Sequence, residues 1–378
     1  MKKIIALLLV CTLLVCAFAG CAAKQTEAES TPAETTAEQT TPAAEEPAAE
    51  QTEEPAAEQT EEEWTPDGPI TIVVGMKEGG GIDTMARTMA TGISEYLGVD
   101  VIVENMPGSS SGLAADYIVE QPADGYKLFA CSSSICGFAT TENSDVTYKD
   151  LDVLCMPFTT HNPAILVNAN SGITTMEQWL EWVKSTPTTA STAGVGSTWH
   201  IPAAMIAGAI GADVTYVPYD SGKETTLAVS RGEVDWTACG IYQESSEAIL
   251  SGLVTPLCVC SGTSFNLEGY GEVPSILDSI PELSEYADVL GGWRGFAVAA
   301  GTPANVEAKL TEALEYAVNT EAMQTLLANN GVAESPVLYG ADAQALLEKT
   351  VRMYSWLLYD LGDGTRSPED VGVSRWEE

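Results

Sequence analysis

Histidine is nearly missing: the chain carries two, His161 and His200, among 378 residues. Two imidazoles cannot build a multi-histidine metal centre, so no metal site is expected. Basic residues are the next scarcity, 16 Lys and Arg against 54 Asp and Glu. A polyanion needs basic surface, and past residue 63 thirteen basic residues face forty-one acidic ones, a net charge of −28; nucleic acid is excluded as a partner. No Cys-x-x-Cys spacing occurs among the nine cysteines, which removes zinc ribbons and redox dithiols. The length itself excludes mini-folds stapled by disulfides, because it suffices for one large core or two smaller ones.

The two ends differ in texture. Lys2 and Lys3 precede an apolar run over residues 4–19, too short to span a bilayer and flanked as an export signal is. Residues 1–20 are therefore expected to be a signal peptide. Phe18-Ala19-Gly20-Cys21 resembles the bacterial lipobox, in which the cysteine takes diacylglycerol and becomes the new N-terminus, so Cys21 is the expected lipidation site. From residue 25 to 63 every residue is Gln, Thr, Glu, Ala, Ser or Pro, and Pro-Ala-Ala-Glu-Gln-Thr-Glu-Glu occurs twice in tandem from Pro47 and Pro55. With no apolar side chain larger than alanine, nothing offsets the entropy of ordering. Residues 21–63 read as an acidic tether that holds a domain on the order of 35 Å from its anchor.

Beyond Trp64, apolar runs alternate with glycine. Ile70 opens a β-rich stretch, Gly79-Gly80-Gly81 follows, and Met85, Met89, Ile93 and Leu97 fall on one helical face that Gly98 ends. The same alternation recurs near residues 99–131 and again from Ala164 to Ala238. It predicts parallel sheets with crossover helices, and about 225 residues of such units exceed one comfortable sheet. Two α/β lobes are expected: residues 64–162 plus 291–378 in lobe 1, residues 163–290 in lobe 2, with a cleft between. The six cysteines left after Cys21 lie in apolar runs and are expected as buried thiols.

In open sheets of this kind, ligands settle where strands end and helices begin. Gly79-Gly80-Gly81 makes such a loop, although Rossmann spacing fails at Thr84 and no Walker lysine follows. Asp83 opens the helix as a cap or a ligand contact, and Lys77 is an exposed cation or faces the ligand. A second loop, Gly194-Val195-Gly196-Ser197-Thr198-Trp199-His200, offers amides and hydroxyls of the same kind; His200 lies in the first helical turn, where a structural hydrogen bond suits it best. Gly108-Ser109-Ser110-Ser111-Gly112 formally matches a nucleophile elbow, and a serine hydrolase at Ser110 would recruit His161 or His200.

Seven segments, in order, resemble one family: Gly79-Gly80-Gly81-Ile82-Asp83 with Ala86-Arg87; Val103-Glu104-Asn105-Met106-Pro107-Gly108; Pro122-Ala123-Asp124-Gly125-Tyr126; Gly196-Ser197 with His200; Val217-Pro218-Tyr219; Gly232-Glu233-Val234-Asp235; and Ala300-Gly301-Thr302-Pro303 with Lys309-Leu310. They resemble the extracytoplasmic solute receptors of tripartite tricarboxylate transporters, the TctC or Bug family. The resemblance implies a type II periplasmic-binding-protein fold of two lobes, each a mixed, mainly parallel sheet flanked by helices. It implies capture of a small carboxylate for membrane permease subunits, with no cofactor and no catalysis. The family's ligand loops match residues 79–83 and 194–200. With the charge argument, the ligand set becomes Met76, Lys77, Gly79, Gly80, Gly81, Asp83, Ser132, Ser133, Gly194, Gly196, Ser197, Thr198, His200 and Tyr219, with Lys77 and Arg294 as candidate cations for the carboxylate. Where the family has Phe-Pro before its glycines this chain has Met76-Lys77-Glu78, so the solute does not carry over. The hydrolase, and a surface or sensor receptor of the same fold, are the competing readings.

Overall fold

The computed structural model describes residues 63–375 apart from Gln243, all within one compact unit. The expected signal peptide, Cys21 and the tether to residue 62 lie outside the described residues. In chain order the first elements are β1 (Ile70–Val74), α1 (Gly81–Leu97), β2 (Val101–Asn105), α2 (Gly112–Val119), β3 (Lys127–Ser132), α3 (Phe138–Thr141) and β4 (Leu151–Phe158). Next come β5 (Pro163–Asn168), α4 (Met176–Ser185), β6 (Thr188–Thr192), α5 (His200–Ile210), β7 (Val214–Pro218), α6 (Gly222–Arg231), β8 (Trp236–Gly240), α7 (Ser246–Leu250) and β9 (Val254–Val259). After the hairpin β10 (Phe265–Leu267) and β11 (Gly271–Val273) follow α8 (Ala287–Leu290), β12 (Arg294–Ala299), α9 (Ala304–Val318), α10 (Glu321–Asn329), β13 (Leu338–Tyr339) and α11 (Gly340–Leu361).

Two mixed sheets organise these elements, β13-β4-β12-β3-β1-β2 and β7-β6-β8-β5-β9. In the first, β1 pairs in parallel with β2 and β3, whereas β12 runs antiparallel between β3 and β4. In the second, β6 pairs in parallel with β7 and β8, and β5 runs antiparallel between β8 and β9. Most strands of each sheet thus point one way, a returning strand runs between the third and fourth of them, and in the first sheet β13 also runs antiparallel, at the edge beside β4. The chain passes to the second sheet between β4 and β5 and comes back into β12. Asn162 and Gly292 adopt left-handed backbone at these crossings, and the His161 N–H donates to the Gly291 carbonyl, tying one connection to the other.

The expected helical stripe exists. Met85, Met89 and Ile93 of α1 are fully buried and pack with Ile70, Ile72 and Val74, while Val73 points to the opposite face with Ala114 and Ile118 of α2. Burying each such aliphatic side chain contributes about 1.5–3 kcal/mol, which is why β1 carries apolar residues on both faces. The second sheet is covered likewise: Trp179 of α4 meets Trp236 of β8 edge to face at 5.1 Å, and Ala228 and Val229 of α6 cover the other side. α6 starts with the Ser-x-x-Glu pattern of a capping box: the Ser221 hydroxyl accepts from Glu224 N–H at 3.3 Å, while the Glu224 carboxylate reaches back one residue further and accepts from Asp220 N–H at 3.1 Å. That fixes the helix start at Gly222.

Candidate functional site

The first glycine loop follows β1 and is held from behind by Asp83. This carboxylate accepts from Gly79 N–H at 2.8 Å, from Arg87 Nε at 3.1 Å and from Asn105 Nδ2 at 2.9 Å, and its other Arg87 contact, to Nη2, is 2.9 Å. Burial opposes its ionisation, but the hydrogen bonds from Arg87, Gly79 and Asn105 outweigh that and hold the carboxyl below the usual range. Asp83 thereby orders the loop, and Gly80, Gly81 and Ile82 present the start of α1 to the space between the sheets. Lys77 turns the other way. Its ammonium pairs with Asp220 at 2.5 Å and Glu224 at 3.3 Å on the second lobe, half exposed.

The second loop is anchored too. His200 is buried at the start of α5, where its Nδ1 accepts from Gly196 N–H at 3.1 Å and its Nε2 lies 3.8 Å from Asp363. Burial pushes its pKa down to about 4, so it is neutral at pH 7 and acts as a loop brace. The Ser197 hydroxyl accepts from His200 N–H at 3.2 Å. Gly194, at φ +97, packs where a Cβ would strike Ser110 Oγ. The Ser110 hydroxyl donates to the carbonyls of Val195 at 3.0 Å and Ala193 at 3.4 Å. In place of a nucleophile hydrogen-bonded to histidine, the elbow-like segment supplies a contact between lobes.

Between the sheets lies a cleft lined by Met76, Gly80, Gly81, Ile82, Ser132 and Arg294 from the first lobe and by Ala193, Thr198, Trp199, Ser221, Gly222 and Glu244 from the second. The lobes are closed on it. Thr198 Oγ1 donates to Ser132 Oγ at 3.0 Å and lies 3.3 Å from Ser133 Oγ, and Asn143 Nδ2 donates to the Val195 carbonyl at 2.6 Å. A cavity of about 20 Å³ remains, room for a water but not for an organic acid, so any solute enters only as the lobes part. Register explains how Arg294 arrives there: as the first residue of β12 it pairs with Ser132 of β3 and Phe158 of β4, at the carboxyl ends of both. Its guanidinium bonds Glu244 and lies 5.6 Å and 5.8 Å from the ring centroids of Phe158 and Trp199.

Of the expected ligand residues, the structure brings Met76, Gly80, Gly81, Ser132 and Thr198 to the cavity wall. Gly79, Asp83, Ser133, Gly194, Gly196, Ser197 and His200 stand behind that wall, while Lys77 and Tyr219 lie outside it, the Tyr219 hydroxyl donating to Glu233 at 3.3 Å. The sequence reading missed Trp199 as a wall, Glu244, and the start of α6 at Ser221 and Gly222. A capping box directly after Val217-Pro218-Tyr219 was the available signal for the last of these. Among the described residues no group of three or more His, Cys, Asp or Glu is placed to hold a metal, and no helix is long and apolar enough to cross a membrane. Cys131, Cys136, Cys155, Cys239, Cys258 and Cys260 are free and buried, and burial pushes the Cys131 and Cys239 thiols up to about 12.

Comparison with known proteins gives concordant matches. The family described as "Tripartite tricarboxylate transporter family receptor", TctC, matches residues 85–352. A protein of Agrobacterium vitis, "UPF0065 protein in the TAR-I ttuE-ttuC' intergenic region", is 28% identical over 257 residues, 67% of this chain and 72% of its own. MatC from Rhodopseudomonas palustris with bound malate superposes with a TM-score of 0.69 at 22% identity, over 78% of this chain and 99% of its own. An R. palustris protein with adipate gives 0.66 at 20% identity, over 79% and 98%. These likenesses show the shared two-lobed fold.

Proposed function

Because the chain belongs to the receptor family of tripartite tricarboxylate transporters, we propose that it is an extracytoplasmic solute-binding protein that captures a small carboxylate between its lobes and delivers it to membrane permease subunits. One observation carries the reading: the N-termini of α1 and α6 converge on one closable cleft, with Arg294 beside them. Unpaired amides and the positive ends of two helix dipoles favour a carboxylate there. Malate in MatC and adipate in the second R. palustris protein support the ligand class. Met76, Gly80, Gly81, Ser132 and Thr198 would touch the solute, and the surrounding loop residues would hold those five in place.

Capture cannot rely on long-range attraction. The net charge past residue 63 is −28, and charges beyond about 8–10 Å are screened at ordinary salt, so short-range donors must do the holding. Closure follows when a solute touching both lobes favours the closed form by its differential affinity. The protein binds and releases without chemistry, its Ser110 hydroxyl being committed to carbonyl acceptors. Lipid on Cys21 would keep the domain at the bilayer, since two or three hydrocarbon tails give stable anchoring; Cys21→Ala should then release it or leave an unprocessed precursor. Calorimetry across a panel of mono- and dicarboxylates tests the main reading, which fails if no carboxylate binds to folded protein.

A further inference from the structure

Capture of a carboxylate leaves one cleft residue unused, and it is an acid. Glu244, in the turn after β8, is 7% exposed and lines the cavity. Three glycines make room for it: a Cβ on Gly81 would strike Oε1, one on Gly222 would strike Cγ, and one on Gly240 would strike Oε2. The Glu244 side chain therefore lies against the first residues of both α1 and α6, its carboxylate against α1 and its Cγ against α6. Its Oε1 accepts from Arg294 Nη2. The pair is buried on both sides, and a buried carboxylate that loses its partner is costly, so the site calls for a new cation or donor whenever Arg294 is drawn away.

Arg294 belongs to the first lobe and Glu244 to the second, so the pair spans the cleft. A solute must part it to enter, after which the buried Glu244 carboxylate needs a new partner. A plain carboxylate can replace Glu244 at Arg294, but it then leaves the Glu244 carboxylate facing a second anion. A solute bearing a carboxylate and an ammonium restores both charges: its carboxylate meets Arg294 and the helix starts, and its ammonium meets Glu244. Resting on the carboxylate-receptor reading, we infer that Glu244 is the specificity residue that selects an amino-bearing carboxylate, a zwitterion such as an α-amino acid, over the corresponding plain acid.

Matched pairs test this on the full chain, purified in detergent with a chelator present: L-alanine and propionate, L-aspartate and succinate, L-glutamate and glutarate, L-leucine and 4-methylpentanoate, each titrated by calorimetry. At least one amino member should bind about tenfold or more tighter than its partner, as expected for a charge-assisted hydrogen bond. Glu244→Gln should remove most of that preference by weakening the amino member while leaving the plain acid as tight or tighter. The wild-type preference stands as a test even if the variant does not fold. Plain acids binding as tightly as, or tighter than, their amino partners in every pair would overturn the inference and leave the carboxylate reading intact. Equal tightening of both members by Glu244→Gln would overturn it too, by making Glu244 a plug. Binding of neither member in any pair would sink both readings.

Discussion

Asp83→Asn isolates the role of the first glycine loop. The wild-type carboxylate, 3% exposed, takes hydrogen bonds from Gly79, Arg87 and Asn105. Asparagine removes the charge and turns one of two acceptors into a donor facing donors. Breaking one partner of a buried ion pair costs about 3–5 kcal/mol, and because Arg87 is half exposed and regains water, about 2–3 kcal/mol is the reasonable loss. For a domain of this size that corresponds to a melting temperature lower by roughly 3–5 °C. The folded-state pKa of Asp83 is depressed, so its stabilisation is present above the ordinary carboxylate pKa and is lost as pH falls through the lower folded value. Thermal unfolding followed by circular dichroism should show the full gap between wild type and variant from pH 7 to about pH 5, narrowing only below about pH 4. A gap under about 1 °C at pH 7, or one that persists unchanged in acid, would refute the assignment.

Three other substitutions separate closure from stability. Gly81→Ala places a methyl against Arg294 Nη1 of its own lobe and Glu244 Oε1 of the other; it should enlarge the radius of gyration in scattering with saturating solute and weaken binding about tenfold or more, with a smaller loss in the unfolding midpoint from the Arg294 contact. Lys77→Ala, which removes an exposed pair with Asp220 and Glu224, should alter solute affinity less than about fivefold and flatten its salt dependence, as titrations at two ionic strengths would show. Burial and the neighbouring Asp152 push Glu307 up to about 7; a raised carboxyl pKa gives stability that is present below the unfolded value and lost as pH rises through the folded one, so Glu307→Gln should raise the melting temperature at pH 8 and lose that advantage by about pH 4.5.

Local patterns were the legible part of this chain. The Met85, Met89, Ile93 stripe, the glycines at the two ends of α1 and the apolar run of β1 are written in neighbouring residues, and the structure has them where the pattern places them. The last strand of the alternation expected up to Ala238 is β8, which begins at Trp236 just after Asp235 accepts from the Thr189 N–H and hydroxyl at the strand entrance. Arg294 beside Ser132 is a different matter, since it depends on the register of an antiparallel strand returning from more than a hundred residues away. Nothing nearby in the chain encodes that. Glu244 was hidden for another reason: in Ile241-Tyr242-Gln243-Glu244-Ser245-Ser246 an acid looks like any solvated turn residue, and only the glycines at 81, 222 and 240 jointly reveal its burial. Lys77, readable as a cation, could not be aimed, because its partners Asp220 and Glu224 are set by the closure of the lobes.

The returning strands also order events during folding. Every strand of the second sheet comes from one continuous stretch, β5 to β9, so that sheet can assemble as soon as its own segment is available. The first sheet is interrupted: β3 and β4 wait for β12, and β4 waits for β13, both of which lie beyond the whole of the second sheet. Contacts that distant in sequence form slowly, because a long loop must close before any pairing rewards it. As the chain emerges in order, N-terminus first, the inner lobe can gain structure while β1, β2 and β3 still expose an unpaired edge at β3. That edge is the segment most in need of protection before β12 arrives.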